Sequence, residues 1–418
     1  MLSNHLKIAL KVLRRRKFFT FISLFAVSAT LLVLLVATAM LDGVFGPRAP
    51  ETRSDRTLGA YLMAMSGPES TRSAFPGFAF LDQHARGIGG VERMTVFSVA
   101  TNVVSYPNGQ KVTSYLKRTD GDYWQVLDFA FLEGGPFSAA DDAAGNAVAV
   151  INETTRRRFF GTPDGTVAPA VGKSIEADGQ TFRVVGVVPD VPFVRIAPFA
   201  DIWVPIGTAK SGAFRHDLIG EYMALFLAES PAALPAIRAE YAQRVGSTPL
   251  PDPKQFDTIH SAAETPFEAA ARLILSQRFE SSHPAGLRAI LVTLAVAFMF
   301  LPALNLANIN LSRILERSSE IGVRKAFGAP ARALVVQFLV ENVVLTLAGA
   351  AIGLLLAAAA LAAINASDLI PYSDFTLNLR VFAWAVGLAL FFGVLSGVLP
   401  AWRMSRMHVV EALRGRTL

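Results

Sequence analysis

The sequence predicts an α-helical membrane protein with four transmembrane helices and a large mixed α/β extracytoplasmic domain inserted between the first and second of them. Three observations predict it. Uncharged apolar stretches long enough to cross a bilayer occur in four places, basic residues gather at the same side of all of them, and a long run of strand-like segments separates the first from the second.

The stretches are Phe18–Leu41, with 24 uncharged residues, Ala289–Leu311 with 23, and Val343–Ile364 and Val381–Trp402 with 22 each. About 20 apolar residues cross a hydrocarbon core. Hydrophobic residues make up 52% of the chain, and the mean hydropathy of +0.41 suits a membrane protein that also carries a water-facing part. The expected division is a basic N-terminus at 1–17, the first span at 18–42, the extracytoplasmic domain at 43–285 and the second span at 286–311. A cytoplasmic loop or helix follows at 312–332, then an amphipathic turn and third span at 333–364, a short outer loop at 365–380, the fourth span at 381–402 and a C-terminus at 403–418.

Charge sets the orientation. Lys7, Lys11, Arg14, Arg15, Arg16 and Lys17 precede the first span, Arg313, Arg317, Arg324, Lys325 and Arg332 lie between the second and third, and Arg403, Arg406, Arg414 and Arg416 follow the fourth. The loop Asn365–Leu379 carries Asp368 and Asp374 and no basic residue. The positive-inside rule then places both termini and the 312–332 loop in the cytoplasm. The net charge of +6 is accounted for by clusters that can meet anionic lipid, without invoking nucleic acid. Lys11–Lys17 followed by an apolar run has the outline of a signal peptide, but 24 uncharged residues exceed the roughly 7–15 of such a core, which favours an uncleaved anchor.

Between the first two spans, Arg93–Ser98, Val112–Lys117, Ala147–Ile151 and Phe182–Val188 are β-rich and bounded by turn residues such as Pro107-Asn-Gly109 and Ala177-Asp-Gly179. Asn152–Phe160 is the helical candidate. Two lobes are expected, with a junction in the Ala- and Pro-rich segment Ala228–Glu264. Glu264–Phe279, with apolar residues near helical spacing, reads as a stalk into the second span that ends near Pro284.

Several chemistries are excluded. The absence of cysteine removes disulfides and thiol catalysis. The histidines are scattered without metal-ligand spacing, so neither a metal site nor catalytic residues are expected. Gly172-Lys-Ser174 invites a phosphate-loop reading, but Val167 stands where the first glycine belongs, and Ile175 with Asp178-Gly179 suits a β-hairpin. Asp141 and Asp142 read as loop solvation. A chain without an ATP-binding signature cannot power transport, so energy must come from a separate subunit.

Within the spans, Gly349/Gly353 and Gly393/Gly397 form two G-x-x-x-G patterns that permit close helix packing, within one chain or between two. Ser23, Ser28, Thr30 and Thr38 give the first span small residues suited to a dry dimer interface. Glu341 is expected in an interfacial amphipathic turn ahead of a span beginning at Val343. The first two spans bracket the extracytoplasmic domain, so force between the two sides is expected to pass through them.

The segment Glu316-Arg-Ser-Ser-Glu-Ile-Gly-Val-Arg-Lys-Ala-Phe-Gly-Ala329 is charged and lies between two apolar stretches, so it belongs at a membrane surface. Glu320 and Arg324 pair at i,i+4, Gly328 suits a C-cap, and Pro330 suits the first turn of the next helix. This segment resembles the ER-x-x-EIG-x-RKA-x-GA signature of the MacB/FtsX-like permeases, the membrane subunits of one class of ABC transporter. Gln337-Phe-Leu-Val-Glu341, Gly397-Val-Leu-Pro-Ala-Trp-Arg403 and Glu411-Ala-Leu-Arg414 are similar to other pieces of that family's permease domain. Leu132-Glu-Gly-Gly-Pro-Phe137, Ala147-Val-Ala-Val-Ile-Asn-Glu153, Phe159-Phe-Gly161 and Val184-Val-Gly-Val-Val188 follow the order of its MacB-like periplasmic core.

The resemblance implies a bacterial inner-membrane permease that binds no cofactor of its own, ATP being held by a cytoplasmic ABC ATPase. It implies a second permease copy or a homologous permease, and leaves room for a periplasmic adaptor and an outer-membrane protein. Glu316, Glu320, Ile321, Gly322, Arg324, Lys325 and Gly328 are the residues expected to couple to the ATPase. The implied work is efflux, export or the handling of an envelope substrate. The alternative is an FtsX-like scaffold or signalling subunit that activates an extracytoplasmic partner such as a cell-wall hydrolase.

Overall fold

The computed structural model describes residues 11, 15, 17–162, 165–250, 252–276, 280–316, 331–367 and 369–405. The chain divides into two compact units. One comprises Met1–Gly43, Ala289–Ser367 and Asp374–Leu418; the other comprises Val44–Arg288 with Asp368–Ser373.

The first unit is helical. It is built from α1 (Lys17–Phe45) and, later in the chain, three further long helices, Pro284–Glu316, Ala331–Ala366 and Leu379–Ser405. Among the described residues, Lys17–Phe45 and Leu339–Ala366 are long and apolar enough to cross a membrane, while Pro284–Phe300 and Leu379–Leu395 are shorter apolar segments. Ala331–Ala366 is a single helix that includes the expected amphipathic turn: Glu341 lies nearly three turns inside it and is 2% exposed. The neighbouring Asn342 and Thr346 are buried as well, so this turn is part of the helix–helix seam.

The second unit is mixed α/β. Its strands are β1 (Thr57–Ser66), β2 (Thr71–Pro76), β3 (Val91–Ser98), β4 (Thr101–Ser105), β5 (Val112–Thr119) and β6 (Glu133–Gly134). They continue with β7 (Val148–Asn152), β8 (Ser174–Ala177), β9 (Gln180–Val188), β10 (Ile202–Pro205), β11 (Ile219–Gly220), β12 (Tyr222–Ala228) and β13 (Thr258–Glu264). Hydrogen bonding runs in the order β11-β2-β1-β12-β3-β5-β10-β7-β9-β6, with β13 on β1, β4 on β5 and β8 on β9. Pairs β5–β10 and β7–β9 are parallel; the others are antiparallel.

Strand β12 reads as an unbroken apolar run because both its faces are covered. Tyr222, Ala224, Phe226 and Ala228 enter one core with Leu58, Phe80 and Tyr241, while Met223, Leu225 and Leu227 enter another with Tyr123, Trp124 and Trp203. A third core gathers Ile151, Phe182, Val184 and Ile202. Helix Glu153–Phe160 starts as the sequence indicates, with Asn152 accepting from the Thr155 amide at 2.7 Å. The β8–β9 hairpin turns at Asp178 and Gly179, both with positive φ (52° and 64°), which is the chemistry of a tight hairpin and not of a phosphate loop.

Three expectations need correction. Segment 228–264 is no lobe junction: Pro235 sits in the first turn of a helix, Leu234–Gly246, whose Ile237, Tyr241 and Val245 enter the first core, and β13 pairs with β1. The stalk reading of Glu264–Phe279 shortens to a helix at Pro266–Leu275, and Phe279 lies outside the described residues. Asp141 and Asp142 are structural: Asp141 closes a capping box with Ser138 at the start of helix Ala139–Ala144, and Asp142 accepts from the Gly207 amide at 2.8 Å.

Candidate functional site

The helical unit has a seam made by missing side chains. A Cβ placed on Gly349 would lie 2.9 Å from the Val27 Cβ, and one on Gly353 would lie 3.0 Å from the Leu31 Cβ and 3.1 Å from the Ser28 carbonyl oxygen. The two glycines are four residues apart and so share a helix face, and their bareness lets α1 approach backbone to backbone. Val27, Ser28, Leu31 and Leu35 of α1 are all buried. The Ser28 hydroxyl donates to the Phe25 carbonyl at 3.1 Å and Thr38 to Leu34 at 2.7 Å, so both hydroxyls are satisfied within their helix. The small-residue face of α1 expected at a dimer interface is thus occupied, in part, by this chain's own helix Ala331–Ala366.

A second seam joins that helix to Leu379–Ser405. A Cβ on Gly393 would meet the Thr346 hydroxyl oxygen at 2.8 Å, and the Asn342 side-chain amide donates to the Gly393 carbonyl at 3.3 Å. Gln337 donates to Glu341 at 3.3 Å. Gly397 lies farther along Leu379–Ser405, and Glu316 ends helix Pro284–Glu316, its side chain outside the described residues. Glu320, Ile321, Gly322, Arg324, Lys325 and Gly328 lie wholly outside them.

The α/β unit holds three stretches that adjoin apolar helices in the sequence, and each is fastened by buried polar groups. The first is 44–53. Arg195, 3% exposed, donates to the Gly46 carbonyl at 2.5 Å and pairs with Glu51 at 2.7 Å. Arg53 pairs with Asp128 at 2.7 Å, and the Asp128 amide donates to the Pro50 carbonyl at 2.8 Å. Beneath Arg195, fully buried Lys117 donates to the Ile196 and Ala197 carbonyls, and the Tyr123 hydroxyl donates to Ala197 at 2.9 Å. Burial pushes the Glu51 carboxyl above its usual range in spite of the Arg195 guanidinium beside it.

The second stretch is 264–288. Glu264, 2% exposed, receives Arg272 through Nε at 3.0 Å and again through a second guanidinium nitrogen at 3.0 Å. One residue on, Thr265 and Glu268 form a capping box, Arg238 pairs with Glu268 at 2.7 Å, and Ser282 donates to the Glu268 carbonyl at 2.8 Å. The rings of Phe45 and Phe267 meet edge to face at 5.3 Å, tying this stretch to the first.

The third is the loop ending at Ser373. The Tyr372 hydroxyl donates to Asp201 at 2.6 Å and the Phe193 amide donates to the Pro371 carbonyl at 3.1 Å. Asp201, 2% exposed, also accepts from the Tyr115 amide at 2.8 Å and the Asn152 side chain at 2.9 Å. Burial raises the Tyr372 pKa, with the Asp201 charge adding to it, so the hydroxyl stays a proton donor. Tyr372 takes a positive φ of 56°, uncommon for a residue with a Cβ. Sequence reading missed Arg195, Asp201 and Tyr372; the one signal was Tyr372 standing directly after Pro371 in the short loop. Among the described residues no group of three or more acidic or histidine side chains has metal-binding geometry.

Lys117 offers a pH test of this architecture. Burial drives its pKa well below the ordinary 10.5, the nearby Glu51 charge offsetting part of the effect. Between the lowered value and 10.5 the unfolded chain holds a proton that the folded chain has released, so stability rises with pH. Lys117→Met is expected to flatten the rise in melting temperature as the pH climbs toward 10.5; an unchanged slope would remove Lys117 as its source.

Residues 20–244 match the MacB-like periplasmic core domain, and residues 292–409 match the FtsX-like permease C-terminal domain. The chain is similar to the uncharacterized ABC transporter permease YknZ of Bacillus subtilis, 24% identical over 337 residues covering 80% of this chain and 79% of that one. It is 30% identical over 304 residues to the pyoverdine export ATP-binding/permease protein PvdT of Pseudomonas syringae, covering 72% of this chain and 43% of PvdT. With the macrolide export ATP-binding/permease protein MacB of Chromobacterium violaceum it shares 28% identity over 329 residues, covering 78% of this chain and 47% of MacB. The matched region is thus less than half the length of these two ATP-binding/permease relatives.

Proposed function

This chain belongs to the MacB/FtsX-like family of ABC transporter permeases, and we propose that it is a four-span subunit through which an ATPase outside these residues drives a periplasmic domain. The family makes it a membrane protein with a periplasmic α/β domain. The observation that carries the mechanism is the threefold fastening of the α/β unit: Arg195 holds the stretch after α1, Glu264–Arg272 the stretch before the next long helix, and Asp201 the loop at Tyr372. Buried ion pairs and hydrogen bonds of this kind resist local opening, because separating either partner strands a charge. A tilt of any helix would then move the periplasmic domain as a body.

Two relatives named as ATP-binding/permease exporters support pairing with an ATPase. In this reading residues 316–328 are the docking segment, the protein sits in the bacterial inner membrane, and both termini are cytoplasmic. Nucleotide binding favours one of two rigid-body arrangements. A second copy or a homologous permease completes the assembly, with an adaptor and an outer-membrane protein as further partners, and the work done is efflux or export of an envelope substrate.

Topology is the first test. Reporter fusions at Gly109 are expected to report an outside location and those at Gly415 an inside one. An inside location for Gly109 would overturn the reading.

A further inference from the structure

The α/β unit contains an apolar cavity of about 290 Å³, lined entirely by its own residues, among them Tyr61, Leu62, Met223, Ala270 and Leu273. A neighbouring cavity of about 490 Å³ shares Val44, Phe75, Val194 and Ile196 with it, so the two form one trough. At its rim Ile196 and Leu273 are 52% and 60% exposed, a degree of apolar exposure that marks binding surfaces when the residues cluster.

The backbone is shaped for this cavity. Strand β1 pairs with β12 up to Ala60 and with β2 from Met63, and its register against β13 shifts between those two residues. Tyr61 and Leu62 occupy the irregularity. In a regular strand they would point to opposite faces; a bulge re-aims side chains, and both line the trough. Gly59 is part of the same arrangement, since a Cβ there would stand 2.3 Å from the Tyr61 ring and displace it.

Tyr61 is 7% exposed, and its hydroxyl makes no hydrogen bond to any described residue. A phenol hydroxyl is a hydrogen-bond donor, and Tyr61 is one of the residues lining the trough. The two charged residues of the wall, Glu51 and Arg195, pair with each other at 2.7 Å, so the wall has no net charge to offer a ligand. Small-molecule sites have this make-up, mostly apolar with a few placed polar groups.

We propose that the trough is a binding site for an uncharged amphiphile, whose apolar body fills the cavity and whose oxygen accepts a hydrogen bond from Tyr61. Fatty alcohols and esters have this chemistry, whether free or as part of a membrane lipid. The site does not depend on coupling to an ATPase.

The test uses the full chain in detergent micelles with a diazirine-bearing C12 alcohol, photolysis and peptide mapping. Saturable labelling is expected in peptides covering Tyr61–Phe75 or Pro266–Leu275, displaced by 1-dodecanol. Tyr61→Phe keeps the ring and should lower labelling by the alcohol about five- to tenfold, the worth of one neutral hydrogen bond, while labelling by a diazirine alkane stays unchanged. Ala270→Phe fills the cavity and should abolish labelling by both probes. A diazirine phosphatidylcholine in nanodiscs separates the sources: labelling by it assigns a lipid chain, and labelling by the free alcohol alone assigns a soluble amphiphile. Unsaturable labelling spread evenly over the apolar helices, or equal alcohol labelling of the wild type and Tyr61→Phe, would overturn the proposal.

Discussion

Arg195→Met is expected to lower the stability of the α/β unit by about 3–5 kcal/mol, the range for breaking a buried ion pair from one side. The Arg195 side chain is 2% exposed and that of Glu51 is 18% exposed, so water cannot replace the lost guanidinium. The Gly46 carbonyl loses its donor at the same time. Burial already opposes ionisation of Glu51, and without Arg195 the remaining nearby cation is Lys117, itself disfavoured by burial. Adding Glu51→Met to Arg195→Met is expected to restore more than half of the loss, because an apolar pair removes the stranded charge. Thermal melting of the purified chain checks both. A shift in the single variant no larger than that of an exposed arginine such as Arg93 would show that the pair holds nothing together.

What could be read from the sequence was local. Uncharged runs of helical length, the β-rich segments that form β3, β5, β7 and β9, the Asn152 cap and the Asp178-Gly179 turn all signal within a few residues of where they act. What could not be read depends on partners far along the chain. Asp201 meets a tyrosine 171 positions away and Arg195 a glutamate 144 positions away; no spacing rule reaches so far. Segment 228–264 misled because alanine and proline are common both in linkers and at helix starts, and only the burial of Tyr241 against Phe226 distinguishes the two. The burial of Glu341 was hidden for a related reason. A carboxylate in an apolar run reads as a boundary unless helix packing is known to cover it. The glycine patterns were visible, but which helix fills the groove beside Gly349 and Gly353 depends on geometry that places Val27 and Leu31 there.

The second large effect concerns coupling. Glu320 and Arg324 lie four positions apart in the charged segment 316–329, the spacing of a helical ion pair, and reversing both charges keeps opposite signs at that spacing while inverting the charge offered to a partner. Glu320→Lys combined with Arg324→Glu is therefore expected to leave expression and insertion intact, because an i,i+4 pair contributes only about 0.2–0.5 kcal/mol to a helix in either order. Charge reversal across an interface costs far more, since like charges brought together there cost several kcal/mol. The deciding measurement is ATP hydrolysis and transport in the same reconstituted vesicles, wild type against the double variant, with the cognate ATPase present. Hydrolysis that continues while transport is lost is the result expected of a permease that passes motion from the cytoplasmic segment to a fastened periplasmic domain. Full transport by the double variant would contradict it.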